Sequence, residues 1–297
     1  MDVRFDSNSG KWVGFLDGKA VFSSASKYYV RQKLKNMTTV SFHAPIQPKL
    51  DEFGINKRFS FVENIVDMVA SKTVPSVIVS GEGGLGKTYT VLKSLEKAGI
   101  KNITDLADFQ IGDKINLSKS YRVIKGYSTP KGLYRTLVEG NGMTLVFDDC
   151  DSVLKDPVAL NLLKSALDSY GERYISWMAD MRDDDLPKTF KFTGQIIFIT
   201  NIVLERLDQA VRTRALCIDL SMTEDQKLER METIALSDEF LPTIEKHIVK
   251  EALTFLKGLI GKAPNLSLRS LISVSKIADS GKADWKDLAK YVVMQGQ

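Results

Sequence analysis

The chain has 297 residues, 43% of them hydrophobic and 26% charged, with a formal net charge of +4. That size allows one large domain or two ordinary ones, and the balance is that of a soluble globular protein. No apolar run approaches the roughly 20 residues of a membrane helix. Asp2, Arg4 and Asp6 stand where a signal peptide needs an apolar stretch.

Two isolated cysteines, Cys150 and Cys217, make neither a disulfide framework nor a zinc site. His43 and His247 stand alone, without metal spacing. The default expectation is a cytoplasmic, reducing location with no membrane partner. The mild positive charge permits nucleic-acid contact without arguing for it.

Residues 1–50 form the first predicted piece. Lys11 to Leu16, Asp17-Gly18 and Lys19 to Ser23 read as a β-hairpin around a two-residue turn. Ser26 to Lys35 follows as a short basic helix, and Ala44 to Pro48 as an extended linker. This small ββα module is expected to dock a partner or a neighbouring subunit, or to cap the main domain.

From 51 to 220, strands and helices alternate, which implies a parallel sheet with helices on both faces. The expected strands are Ser76–Ser80, Tyr121–Lys125, Met143–Asp148, Gln195–Thr200 and Ala215–Leu220. Asp156-Pro157 is an N-cap followed by proline at the first helical position. Tyr174 to Trp177 and Phe190 to Phe192 read as a hairpin inserted before the fourth strand.

From 221 to 297 the pattern is helical throughout. Ser221-Met222-Thr223-Glu224 reads as a capping box. Ile244, Ile248, Ala252, Phe255 and Leu259 share one helical face, and Trp285, Leu288, Ala289, Val292 and Val293 another. A small four-helix domain is expected.

Gly81-Glu82-Gly83-Gly84-Leu85-Gly86-Lys87-Thr88 fits the phosphate-binding pattern G-x-x-x-x-G-K-[ST] at every fixed position. It lies between the apolar run Val77-Ile78-Val79 and a helix read from Tyr89 to Ala98. Strand, glycine loop and helix N-terminus together aim backbone N–H groups at phosphate. The implied ligand is ATP or GTP with Mg²⁺. Lys87 would reach the outer phosphates and Thr88 would ligate the metal.

Thr144 to Phe147 is an apolar strand ending in Asp148 and Asp149. Asp148 suits the metal shell and Asp149 the base that orients attacking water. Ile196 to Ile199 is another buried strand, ending in Thr200 and Asn201, and Asn201 is placed to bond the water or the γ-phosphate.

With these motifs in this order, the chain from about residue 55 onward resembles the AAA+ ATPase superfamily. The resemblance implies a parallel five-stranded αβα P-loop sandwich in strand order 5-1-4-3-2, followed by an all-α lid. It implies an ATPase using ATP and Mg²⁺, with Asn201 as sensor 1. It also implies Arg214, with Arg212 second, as an arginine finger acting on a neighbouring subunit's site. Ser267 to Leu271 resembles the sensor 2 segment, which brings Arg269 to the nucleotide. A trans arginine implies a homo-oligomeric ring or open ring, commonly six subunits. In the family the adenine packs near the segment before the first strand, which points to Arg58, Phe59 and Val62.

Two features depart from the family. Asp149 stands where glutamate is usual. Gly126 to Pro130 does not match the aromatic–apolar–Gly pore loop of protein unfoldases.

Three functions are open: remodelling or loading of a protein assembly, a DNA-directed motor or loader, and a slow or non-hydrolysing nucleotide-dependent scaffold. The hairpin tip, with Asp180, Asp183, Asp184 and Asp185 against Arg182 and Lys188, suits a basic protein surface. Tyr28, Tyr29, Arg31, Lys33 and Lys35 suit nucleic acid. The segment Thr213 to Cys217 resembles clamp-loader subunits, but those carry a further C-terminal collar, which counts against that role.

Overall fold

The structure, a computed structural model, describes residues 2–7, 9–16, 19–28, 30–31, 52–104, 115–178 and 186–295. The chain divides into two compact units, Met1–Pro48 and Lys49–Gln297.

In the first unit, strands β1 (Asp2–Asp6), β2 (Lys11–Leu16) and β3 (Lys19–Ser24) form an antiparallel sheet in that order. The expected hairpin is β2–β3, but the sheet has three strands, not two. A lone hairpin is marginal in water, and β1 pairs along its whole length, from Asp2 opposite Phe15 to Asp6 opposite Lys11. Lys27, Tyr28, Val30 and Arg31 are helical. The turn at 17–18, the rest of that helix and the linker at 44–48 lie outside the described residues.

The second unit is built on a parallel sheet. Its strands are β4 (Ser76–Ser80), β5 (Lys101–Asn102), β6 (Ser120–Lys125), β7 (Thr144–Asp148), β10 (Gln195–Thr200) and β11 (Leu216–Asp219). Their order is β11-β4-β10-β7-β6-β5, every neighbouring pair parallel. The expected count of five is corrected to six. The five anticipated strands keep their expected order, and the addition is the two-residue edge strand β5, whose exposed Lys101 and Asn102 carry no apolar pattern.

The sheet has two covered faces because its central strands are apolar at successive positions. Val77, Val79, Val146, Ile197 and Ile199 enter one core with α1 (Ile55–Ala70) and α2 (Lys87–Lys97). Ile78, Leu145, Phe147, Ile196 and Phe198 enter the other with α3 (Pro130–Glu139), α4 (Asp151–Lys155) and α5 (Pro157–Leu167). Period-two alternation between two apolar cores is what a doubly covered parallel sheet requires. Asp156 caps α5 as read from the sequence, its carboxylate accepting from Val158 and Ala159 N–H. The inserted hairpin is β8 (Arg173–Ser176) paired with β9 (Thr189–Phe192). Its acidic tip, 179–185, lies outside the described residues.

Helices α7 (Glu224–Ala235), α8 (Lys246–Lys257), α9 (Leu268–Asp279) and α10 (Trp285–Met294) follow the sheet; the short α6 (Gln209–Arg212) precedes β11. Met231, Val249, Leu256, Leu271 and Val293 anchor a hydrophobic core of their own. The capping box sits two residues later than expected. Thr223 caps α7 and exchanges bonds with Gln226, while the Ser221 carbonyl accepts from Arg58.

Among the described residues, no helix is long and apolar enough to cross a membrane.

Candidate active site

The loop between β4 and α2 turns through glycines that other residues would strain. Gly86 caps α2 with φ +95°. Gly84 has φ +79°, and a Cβ there would stand 3.1 Å from Ser267 Cβ. Ser267 opens α9, whose Leu268 N–H donates to the Gly84 carbonyl at 3.0 Å. The helical cluster is thus docked on the glycine loop by backbone and by close packing.

Lys87 is buried at 6% exposure. Its ammonium donates to the Gly81 and Glu82 carbonyls, both at 2.6 Å, and to Asn201 Oδ1 at 3.0 Å. Burial pulls its pKa down to about 8, against the opposing pull of Asp149, Asp148, Asp151 and Glu82. Asn201 Nδ2 donates to Asp149 Oδ1 at 2.9 Å. One amide therefore links the loop lysine to the second strand-end carboxylate.

Asp149 has φ +55°, a left-handed conformation that aspartate tolerates better than most residues. Thr88 Oγ1 donates to Asp148 Oδ1 at 2.9 Å, and Lys125 Nζ lies 3.2 Å from Asp148 Oδ2. Both oxygens of this buried carboxylate are held by protein donors.

The parallel register explains the convergence. Thr200 pairs with Ser80, Ile199 with Asp148, and Asp148 with Lys125. The carboxyl ends of β4, β10, β7 and β6 thus line up beside the N-terminus of α2, where open parallel sheets bind their ligands.

A cavity of about 180 Å³ runs along Lys87, Thr88, Asp148, Asp149, Asn201 and Arg269. A larger one, about 490 Å³, lies alongside α2 and is walled by Tyr89, Ile234, Phe240, Leu241, Leu268 and Ile272. Gly84, Gly86, Tyr89 and Arg269 border both. The sequence-predicted Gly81 to Tyr89, Asp148, Asp149, Asn201 and Arg269 are therefore gathered in one place.

Arg214 is elsewhere. It precedes β11, whose Leu216 pairs with Val77 and Asp219 with Ser80. It stands at the opposite end of the strands from the glycine loop, with Nη1 donating to the Ala210 carbonyl at 2.8 Å. At ~3.3 Å per strand residue the separation exceeds ~15 Å, too far for it to serve its own chain's site.

Arg58, Phe59 and Val62 are buried and line neither cavity. Phe59 and Val62 lie in the sheet core, and Arg58 bonds the Asp219 and Ser221 carbonyls and Gln226. Arg58 ties α1 to the start of α7.

Residues the sequence reading missed also reach the site. Lys227 ion-pairs with Glu82 of the loop at 2.6 Å and with Glu224 at 2.8 Å. Burial pulls the Lys227 ammonium down, but its bonds to Glu224 and Glu82 outweigh this, and the net shift is upward. Thr200 Oγ1 donates to Asp151 at 2.6 Å, fixing the end of β10 to α4. Tyr89 hydroxyl donates to Glu239 at 2.8 Å, and Lys93 pairs with the same carboxylate. Lys125 reaches Asp148 through the β6–β7 register, for which the sequence carries no signal.

Cys150 is buried beside the acids; burial, with the neighbouring aspartates, pushes its thiol up to about 11, so it is a packing residue.

No protein-family model matches the chain. It is 28% identical over 253 residues to an uncharacterized 36.7 kDa protein of the nrdC–mobD intergenic region of Enterobacteria phage T4, covering 79% of this chain and 73% of that one. Among solved structures, NtrX from Brucella abortus in complex with ADP superimposes over 89% of this chain at 12% identity and a TM-score of 0.39. The chain spans about half the length of that protein, at 52%, and the superposition is too loose to carry a fold assignment.

Proposed function

We propose that this chain is an ATPase of the AAA+ kind that hydrolyses ATP with Mg²⁺ between subunits to remodel or load a macromolecular assembly. The observation that carries the proposal is the hydrogen-bonded set Lys87–Asn201–Asp149 beside Thr88–Asp148 at a helix N-terminus. A phosphoryl-transfer site needs a lysine, a metal-binding hydroxyl and carboxylate, and a water-orienting group within one such cradle.

The residues fit the groups. The smaller cavity has the polar lining that phosphates need, and the larger one, with mostly apolar walls, suits a base and sugar. Their shared border lets one nucleotide occupy both. Mg²⁺ takes one or two protein oxygens and completes its shell with water and phosphate, and Thr88 Oγ1 and Asp148 Oδ1, 2.9 Å apart, offer two. Thr88 and Asp148 would hold it, and when bound it would neutralise charge on the β- and γ-phosphates.

Lys87 would leave its loop carbonyls for the γ-phosphate oxygens, and Arg269 would approach from α9. Asp149 would accept a proton from the attacking water while Asn201 holds the carboxylate in line. The water oxygen bonds phosphorus, the bond to the β–γ bridging oxygen breaks, and ADP leaves with its electron pair. Arg214 would act on a second copy's γ-phosphate, so the reading requires a homo-oligomer, with six subunits implied by the resemblance. The C-terminal helices would be the lid, carrying changes at Gly84 and Glu82 outward.

Nucleotide binding by calorimetry and steady-state phosphate release, on wild type and Lys87→Ala, test this. Wild type should bind ATP and release phosphate, and the variant should lose both. A wild type that binds no nucleotide, or a Lys87→Ala that turns over normally, overturns the reading.

A further inference from the structure

The chain's net charge is not spread along it. Residues 1–48 hold seven of the 41 Lys and Arg and three of the 37 Asp and Glu, leaving 34 of each in the remainder. The whole excess of +4 therefore sits in the N-terminal unit.

Register then divides that unit by face. Asp2 and Asp6 share one side of the sheet with Arg4 and Lys11, since Arg4 opposes Val13, Asp2 opposes Phe15 and Asp6 opposes Lys11. Arg4 is paired with Asp2 at 2.6 Å. Among the described residues that side holds two acids and two bases, with Arg4 lying over the Phe15 ring.

The other side carries Val3, Phe5, Trp12 and Phe22. Phe5 packs on Trp12 with ring centroids 5.1 Å apart, and Lys27 Nζ lies 4.3 Å over the Trp12 ring. The helix start is thereby fixed on the aromatic side. Phe5 remains 54% exposed and Tyr28 72%. Lys27 and Arg31 on the helix are exposed, as is Lys19, which neighbours Ala20, the partner of Phe15 on the Asp2 side, and so falls on the aromatic side.

We propose that this aromatic, basic side of the N-terminal unit binds single-stranded nucleic acid. Bases stack on Phe5 and Tyr28, whose faces accept any base, while Lys19, Lys27 and Arg31 neutralise phosphates. Among the described residues, the two acids of this unit, Asp2 and Asp6, lie on the far side, and exposed aromatics beside Lys19, Lys27 and Arg31 match a polyanion that carries flat apolar rings. The inference does not rest on the ATPase reading.

The test is fluorescence anisotropy of labelled dT20, U20 and a 20-base-pair duplex with the full chain, without ATP, over a salt series. Single strands should bind more tightly than duplex. Log affinity should fall against log salt with a slope of about −2, from three neutralised phosphates at ~0.7 each. Comparable dT20 and U20 affinities fit stacking, and preference for one identifies the natural strand. Tyr28→Ala and Phe5→Ala should each weaken binding roughly 5- to 100-fold. Tyr28→Phe should retain it, which separates lost stacking from lost folding. Lys87→Ala should bind the strand as wild type does, keeping this result independent of nucleotide turnover. No binding to either single strand at 50 mM salt, tighter binding to duplex, or indifference to Tyr28→Ala in a folded variant would falsify the proposal.

Discussion

Lys227, in the first turn of α7, stands 2.6 Å from Glu82 of the glycine loop and 2.8 Å from Glu224. It is the charged link between the helical cluster and the loop, beside the backbone bond from Leu268 to Gly84. Lys227 is buried, but both glutamates are more than half exposed, so solvent discounts the pairs. Lys227→Met should lower stability by about 1 kcal/mol. Its larger effect should be a loosened Glu82 and a severalfold weaker nucleotide affinity, less marked at high salt. Thermal melts and calorimetric titrations at two ionic strengths check this. An unchanged affinity would mean that the loop does not depend on α7.

Lys87 gives the site a proton linkage. Its pKa of about 8 lies below the usual lysine value because of burial. Burying the charge therefore costs stability below pH 8, and that cost fades as pH rises toward the unfolded value near 10.4. A bound polyphosphate favours the charged form and returns the pKa upward. Above pH 8, binding should take up a proton, roughly 0.7 of one at pH 8.5 and almost none at pH 6.5. Calorimetry in two buffers of different ionisation enthalpy measures that uptake. Equal uptake at both pH values would remove Lys87 as its source.

Asp149 and Asn201 act as a pair. The amide holds the carboxylate at 2.9 Å, and the left-handed backbone at Asp149 turns a side chain one methylene shorter than glutamate toward it. Asp149→Asn should cut hydrolysis by ~10²- to 10⁴-fold while nucleotide affinity stays within about threefold. Single-turnover hydrolysis and equilibrium binding separate the two. Equal losses in both would make Asp149 a binding group instead of a base.

In the proposed site Lys125 would compete with Mg²⁺ for Asp148. Its side chain is 63% exposed, with Nζ 3.2 Å from Asp148 Oδ2, a pair worth under about 1 kcal/mol. Lys125→Met should lower the half-saturating metal concentration by about two- to fivefold. Mn²⁺ titration followed by electron paramagnetic resonance, with ADP present, reads this without turnover. Weaker metal binding in the variant would show that Lys125 assists the site.

Local pattern made the center of this fold legible. Apolar strands such as Ile196 to Ile199 and the glycine loop specify themselves, because burial on both faces demands unbroken apolar runs and a phosphate cradle demands glycine. The Asp156 cap was equally local. What stayed hidden depends on distant partners. β1 is a charged pentapeptide that becomes a strand only against β2. β5 is two exposed residues carried by the neighbouring β6. Arg58, pointed to the adenine by the resemblance, instead donates to the Asp219 and Ser221 carbonyls, which only the fold brings over it. The cap belongs to Thr223, two residues beyond Ser221, whose carbonyl receives that arginine. Lys125 and Lys227 reach the site only through strand register and helix docking, which no spacing in the sequence encodes.

Arg214 stands at the far end of the strands from its own Lys87, which makes the proposed reaction divisible between two chains. Asp149→Asn and Arg214→Ala should each be inactive alone, the first lacking the base and the second failing its neighbour. Mixed in equal amounts and allowed to exchange, they form some interfaces with an intact base on one side and an intact arginine on the other. Random assembly makes about a quarter of the interfaces competent, so activity should recover to about that fraction of wild type. Arg212→Ala in place of Arg214→Ala is the control; if it is inactive alone and complements in its place, Arg212 is the residue acting in trans. Absence of recovery, with the protein monomeric in ATP by light scattering, would leave Arg214 a structural residue bonded to Ala210.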